Sequence, residues 1–212
     1  MPWNCPNQEK QTEMIEKIGT MDQECKEWKS IMLFEDAVHQ LHTTNIGYAI
    51  QRRWKKHTKI LPTNTWRNRF TVLWAINPHN WDFISVETKA MCNMELAKLL
   101  IDKIVSFYKN EINAWVKIYM ILDNARYQKA YDVQNYAKDN DIILQFLPAY
   151  CPHLNIIERV RKWLKNKLKN NYIEHSRLLW KCSKMAMKDK RKLSRSFRHT
   201  IPKFPHYLVS LL

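Results

Sequence analysis

Apolar runs of strand length alternate with stretches of helical spacing over most of this chain. Ile31-Met32-Leu33-Phe34 forms a short apolar strand ending in Glu35-Asp36. Gly47-Tyr48-Ala49-Ile50 and Arg69 to Ile76 (RFTVLWAI) predict two more strands, and Asp82 to Val86 a short one after the turn at Asn77-Pro78. Met94 to Tyr108 carries Leu96, Leu99, Leu100, Ile104 and Phe107 at helical spacing. Four further elements follow: a buried strand Ile118 to Leu122, a helix from about Ala125 to Lys138, a strand Ile142 to Leu147, and a helix from Pro152 to about Lys169. The last is opened by the start signal Cys151-Pro152-His153. Gln8 to Ile18 is helix-like and acidic, a lead-in segment without a fold of its own. Strands first, then alternating strand and helix, imply an α/β protein whose mixed sheet is covered on both faces.

Composition narrows the class. With 212 residues and 45% hydrophobic content the chain can bury one sizeable core. No apolar run approaches the roughly 18 residues of a membrane span, and MPWNCPNQEK has no signal-peptide core. The expectation is a soluble, cytoplasmic protein without a membrane partner. Cys5, Cys25, Cys92, Cys151 and Cys182 are odd in number, widely spaced and without a C-x-x-C pair, so they read as reduced thiols.

The net charge of +15 is unevenly placed. Arg159 to Arg198 holds 15 Lys/Arg against two acids, Glu174 and Asp189, while residues 1–158 hold 19 basic and 18 acidic side chains. A nearly neutral body with a strongly basic last quarter points to a polyanion partner, nucleic acid before membrane.

Three acids stand at element ends. Asp36 follows the first strand, Asp123 closes the run Ile118 to Leu122, and Glu158 opens the last core helix. Open α/β sheets carry their sites beyond the carboxyl ends of strands, so Asp36 and Asp123 share one rim if their strands are neighbours. Carboxylate oxygens with few other ligands suit Mg²⁺ or Mn²⁺, and a pair of such ions supports in-line displacement at phosphorus. An Asp after a strand can equally start a turn or cap a helix.

On a helical wheel Ile156, Ile157, Val160, Trp163, Leu164 and Leu168 form a core stripe that excludes Glu158. Asn155, Lys162, Lys165 and Lys169 project within about 60° of Glu158. An acid followed by a row of ammonium groups suits a metal-bound phosphate backbone, although Glu158 and Lys162 also satisfy simple i,i+4 pairing. The loop holding Arg52, Arg53, Lys55 and Lys56 around Trp54 is a second candidate DNA contact or a solvated hairpin tip. His39 and His42 lack the further ligands a zinc site requires.

LFEDAVHQLHTTNIGYAI, ILDNARYQKA and LPAYCPHLNIIERVRKWLK, in that order, resemble the catalytic domain of the mariner-like superfamily of DDE transposases, specifically its bacterial insertion-sequence branch. The likeness runs from about Ile31 to Lys169, and 34 residues separate Asp123 from Glu158, a spacing typical of that superfamily. The resemblance implies an RNase H-like fold in which Asp36, Asp123 and Glu158 bind metal, two Mg²⁺ or Mn²⁺ ions, with Asn124 and Asn155 in support. It implies cutting and joining of double-stranded DNA at terminal inverted repeats and at TA target sites, by a homodimer in the nucleoid. Residues 1–30 would then be a linker and helix, 31–170 the catalytic domain and 171–212 a basic helical extension. Relatives place a helix-turn-helix region before the first Asp, whereas 35 residues precede Asp36 here. A separately encoded helix-turn-helix subunit is therefore an expected partner.

Several residues depart from the family pattern. Gln128 stands where His is common, Cys151 where Ser is common, and Arg161 where Trp is common. Trp66, Trp74 and Trp81 fall in or near turns where relatives carry Gly, and the chain has two glycines where roughly 15 are average. The competing reading is a catalytically silent DNA-binding remnant of such an enzyme.

Overall fold

The structure, a computed structural model, describes residues 8–41 and 69–168. Its elements are α1 (Gln8–Lys26), β1 (Ser30–Leu41), β2 (Arg69–Ile76), β3 (Phe83–Thr88), α2 (Met94–Phe107), α3 (Lys109–Asn113), β4 (Lys117–Leu122), α4 (Tyr131–Asp139), β5 (Ile142–Phe146) and α5 (Ile156–Leu168). The sheet order is β3-β2-β1-β4-β5. β1, β2 and β3 pair antiparallel, and β1, β4 and β5 pair parallel.

Alternation along β1 divides the core into two layers. Leu33 faces a layer shared with Leu73, Leu100, Ile101, Ile104 and Ala137, under α2 and α4. Phe34 and Val38 face the other, where Met14, Ile15, Ile18 and Met21 of α1 meet Trp74 and the α5 residues Ile156, Ile157, Val160 and Leu164. Each large side chain fully removed from water here contributes roughly 1.5–3 kcal/mol.

Four sequence expectations change. β1 runs on through Asp36 to Leu41, because β2 supplies a ladder partner out to Leu41↔Arg69. Pairing and burial override the poor strand propensity of two acids. The first helix runs to Lys26 and belongs to the main core through Met14, Ile15, Ile18 and Met21. α4 begins at Tyr131, since the Gln128 side chain accepts the Ala125 N–H at 3.2 Å and holds Ala125 to Lys129 as a turn. Trp74 lies within β2, fully buried and edge-on to Phe83, with ring centroids 5.5 Å apart.

The short helix α3 was not anticipated. The expected strand Gly47 to Ile50, the basic loop with Arg52, Arg53, Lys55 and Lys56, Trp66, Lys169 and the extension 171–212 lie outside the described residues. Among those described, no helix is long and apolar enough to cross a membrane.

Candidate active site

The parallel pairing of β1 with β4 aligns Phe34 with Ile121, so Asp36 on β1 and Asp123, just past the end of β4, each lie two residues further on. Side chains alternate, and Asp36 therefore points to the α5 face while Glu35 points to the α2 face. Asp36, Asp123 and Glu158 line one cavity of about 260 Å³, together with Asn124, Asn155 and Tyr150. The shared rim expected from the sequence is present, although Asp36 reaches it from mid-strand and not from a strand end.

Glu158 is exposed in the first turn of α5, as its place off the apolar stripe implied. Asn155 lines the same cavity but is not exposed with it. Asn155 is buried just before α5, where its Oδ1 accepts the Ile157 N–H at 3.1 Å and its Nδ2 donates to the Glu35 carbonyl at 3.1 Å. One amide thus caps the helix and ties it to the strand carrying Asp36. Cys151 does not serve as that cap, because the 3₁₀ turn Pro152–Leu154 intervenes; its carbonyl accepts the Leu154 N–H at 3.1 Å. Asn124 donates its Nδ2 to the Leu147 carbonyl and so fastens the ends of β4 and β5 together.

Glu158 does not pair with Lys162. Arg161, one turn along α5, donates through one terminal nitrogen to Glu158 Oε1 at 3.0 Å and to Asp36 Oδ2 at 3.2 Å. Its i,i+3 spacing from Glu158 was legible, but the reach to Asp36 depends on how α5 crosses β1. Lys162 is exposed on the same helix, and Lys165 lies one turn further on. Burial raises the Asp36 carboxyl to about 7 against the lowering effect of Arg161, with Glu158 and Asp123 adding to the rise.

Beneath this rim lies a residue the sequence reading passed over. Glu35 is fully buried, and Gln128 donates its Nε2 to Glu35 Oε2. Desolvation, reinforced by Asp36 and Asp123, raises the Glu35 carboxyl well above the carboxylate range, which favours the neutral acid. Period-two alternation was the available signal, since two adjacent acids in a strand must face opposite sides.

The donor set is all carboxylate, which fits a hard divalent cation. Yet no three acid, His or Cys side chains among the described residues converge closely enough to hold an ion. The three carboxylates share a cavity, and Arg161 spans two of them.

A mixed five-stranded sheet flanked by helices, with acids on β1, after β4 and in the first turn of α5, has the RNase H-like fold. The sequence profile described as DDE superfamily endonuclease matches residues 30–179, and the chain belongs to that family. No curated protein sequence matches the chain. Among solved structures, a pre-cleavage Mos1 transpososome aligns with TM-score 0.70 at 11% identity, over 95% of this chain and 61% of that one. The Mos1 mariner paired-end complex with Mn aligns with TM-score 0.68 at 14% identity, over 94% and 59%. The isolated catalytic domain of Mos1 mariner transposase aligns with TM-score 0.66 at 10% identity, over 98% and 94%. The chain thus spans about three-fifths of the transposase chains in those complexes and nearly all of the isolated catalytic domain.

Proposed function

We propose that this chain is the catalytic part of a DNA transposase that hydrolyses phosphodiester bonds at transposon ends and joins the freed ends to target DNA. One observation carries the reading: Asp36 on β1 and Asp123, just past the end of the parallel neighbour β4, open with Glu158 onto a single cavity. The similar Mos1 structures include paired-end complexes with Mn and with Mg and a strand transfer complex. By that likeness the partners are transposon-end and target DNA, with a second copy of the chain.

Asp36, Asp123 and Glu158 are the residues that would hold Mg²⁺ or Mn²⁺, two ions in the full site. Once bound, such ions activate a water or a 3′-hydroxyl and stabilise the leaving oxygen. The chain's own residues do the positioning. Asn155 fixes α5 against β1, Asn124 fixes the end of β4, and Gln128 with Glu35 fills the space beneath Asp36. Lys162 and Lys165 continue along α5 from Glu158, the side on which a phosphate backbone leaving the cavity would run. Arg52, Arg53, Lys55, Lys56 and Lys169 belong to the same proposed DNA contact.

The competing reading, a silent DNA-binding remnant, rests on Arg161 spanning Asp36 and Glu158. Nicking of supercoiled plasmid in Mg²⁺ or Mn²⁺ separates the two. Nicking that disappears in Asp123→Ala supports the enzyme, whereas an inactive wild type that still binds DNA establishes the remnant.

A further inference from the structure

We propose that Arg161 is a resident counter-cation that must leave the space between Asp36 and Glu158 before a divalent ion can bridge them. The inference rests on the metal reading given above and adds a residue that opposes it. One guanidinium nitrogen lies 3.2 Å from Asp36 and 3.0 Å from Glu158, whereas Mg²⁺ holds its oxygens at roughly 2.0–2.1 Å. Oxygens held at 3.0 and 3.2 Å from a nitrogen lie about 1 Å beyond the reach of a bound Mg²⁺, in accord with the lack, among the described residues, of three acid, His or Cys groups close enough to hold an ion. Ion entry requires the arginine to go and the acids to close in.

Arg161 is also loosely anchored. Its hydrogen-bond partners among the described residues are those two carboxylates, and its buried Nε has none. The side chain is 24% exposed, so a path to solvent is open. A metal therefore competes with a monovalent cation already in place, and its apparent affinity falls by the fraction of time the arginine is away. A displaced guanidinium on the first turns of α5 would remain beside the cavity, where a DNA phosphate offers it a bidentate partner.

The test is calorimetric Mn²⁺ binding to the wild type, Arg161→Ala, Arg161→Lys and Asp123→Ala, each checked for folding by circular dichroism. Arg161→Ala is expected to bind roughly tenfold tighter than the wild type, with Arg161→Lys nearer the wild type because it keeps the charge. Equal or weaker binding by Arg161→Ala, while Asp123→Ala abolishes binding, overturns the counter-cation and leaves the metal site standing. Absence of Mn²⁺ binding in all four proteins overturns both.

Three of the five tryptophans among the described residues, Trp28, Trp81 and Trp115, adopt left-handed backbone with φ of 60° or 61°. At Trp28 the N–H bonds the Cys25 carbonyl at 3.1 Å, and the next N–H, of Lys29, bonds Glu24 at 3.0 Å. Trp115 repeats the pattern, with its N–H on Ile112 at 2.9 Å and that of Val116 on Glu111 at 3.0 Å. Both are Schellman helix ends, in which the left-handed residue is usually glycine. Trp81 closes the β2–β3 hairpin, another left-handed glycine position. The rings of Trp28 and Trp115 are 88% and 93% exposed and recover no burial for the strain. Meanwhile Gly19 lies inside α1 with nothing within 4 Å of its would-be Cβ.

Of the five non-glycine residues with positive φ among the described residues the other two are Asp141, a type that tolerates this region, and Tyr150; random decay would not favour one type, yet three of the five are Trp. From this separate observation we infer that Trp28, Trp81 and Trp115 occupy glycine positions, and that the codon behind them is read as glycine in the cell that makes the protein. Peptide masses of the protein isolated from that cell decide it. Glycine at positions 28 and 115 is expected, and tryptophan at both overturns the inference.

Discussion

The two ends of the central strands treat buried acid in opposite ways. At the amino ends of β1 and β4 a cavity of about 330 Å³ is lined by Cys25, Ser30, His79 and Tyr108, and beside it Asp22 is matched by Lys26 at 2.6 Å and His79 at 3.3 Å. At the carboxyl ends Asp36, Asp123 and Glu158 share the smaller cavity, and among the described residues Arg161 is the base within ion-pair distance of them. That amino end, where Asp22 and Glu111 stand against Lys26 and His79, is balanced in charge and is held as structure. The other has three acids to one base, an excess that a folded protein carries at a cost and that a divalent cation would relieve.

The sharpest way to break this contrast is to remove one acid from each end. Asp123→Ala should lower plasmid nicking by roughly 100-fold or more, several kcal/mol of lost charge stabilisation, without lowering the melting temperature. Asp22→Asn should do the reverse: leave nicking unchanged and destabilise the fold by about 1 kcal/mol, because Lys26 and His79 lose their partner. Equal effects of the two on stability, measured by urea unfolding, would remove the distinction.

Asn155→Ala tests whether the acid-rich end depends on a rigid support. It deletes a helix cap and a buried bond to β1, at a cost of about 2 kcal/mol in unfolding free energy. Nicking should fall further than the stability loss explains, since Glu158 is carried by the helix that Asn155 anchors. A variant of lower stability and normal nicking would show that α5 is positioned by its apolar face alone.

The balanced end has its own pH signature. The Asp22 carboxylate, followed by the Cys25 thiol, raises His79 from 6.5 to about 9. A group whose pKa is raised on folding contributes fully below its unfolded value and loses that contribution as pH rises through the folded value. Stability should therefore decline between about pH 6.5 and 9, by about 1 kcal/mol once solvent screening of a half-exposed imidazole is allowed for. Asp22→Asn should flatten the slope, and a slope unchanged in that variant would assign it to another group.

Much of this was legible in the sequence, for identifiable reasons. β2, β4 and β5 are apolar runs, and α2 and α5 carry stripes that admit one helical phase, so pattern alone located them. β1 was cut short because Glu35 and Asp36 break the apolar run, although the ladder to β2 continues to Leu41. The three acids that line the cavity were all named in advance, since each stands where a strand or helix pattern changes. Arg161 and Gln128 were noticed only as departures from a family pattern. Their partners, Asp36 and Glu35, are distant in sequence and meet them only through the crossing of α5 over β1 and the turn after β4.

The smallest expected effect concerns helix ends and not charge. Placing an L-residue in left-handed backbone costs roughly 1–2 kcal/mol, and glycine returns part of that as extra freedom of the unfolded chain. Trp28→Gly and Trp115→Gly should each raise stability by about 0.5–1 kcal/mol, and together nearly additively, because each acts on its own helix end. Trp163→Gly is the control: Trp163 is half-buried against the core in helical backbone, so the same exchange there should destabilise. The two helix ends lie where β1 and β4 begin, the charge-balanced end, so their repair should raise the unfolding midpoint without changing nicking. A fall in stability at both would mean that the exposed rings have a folded-state partner, and the comparison between the two ends would have to include it.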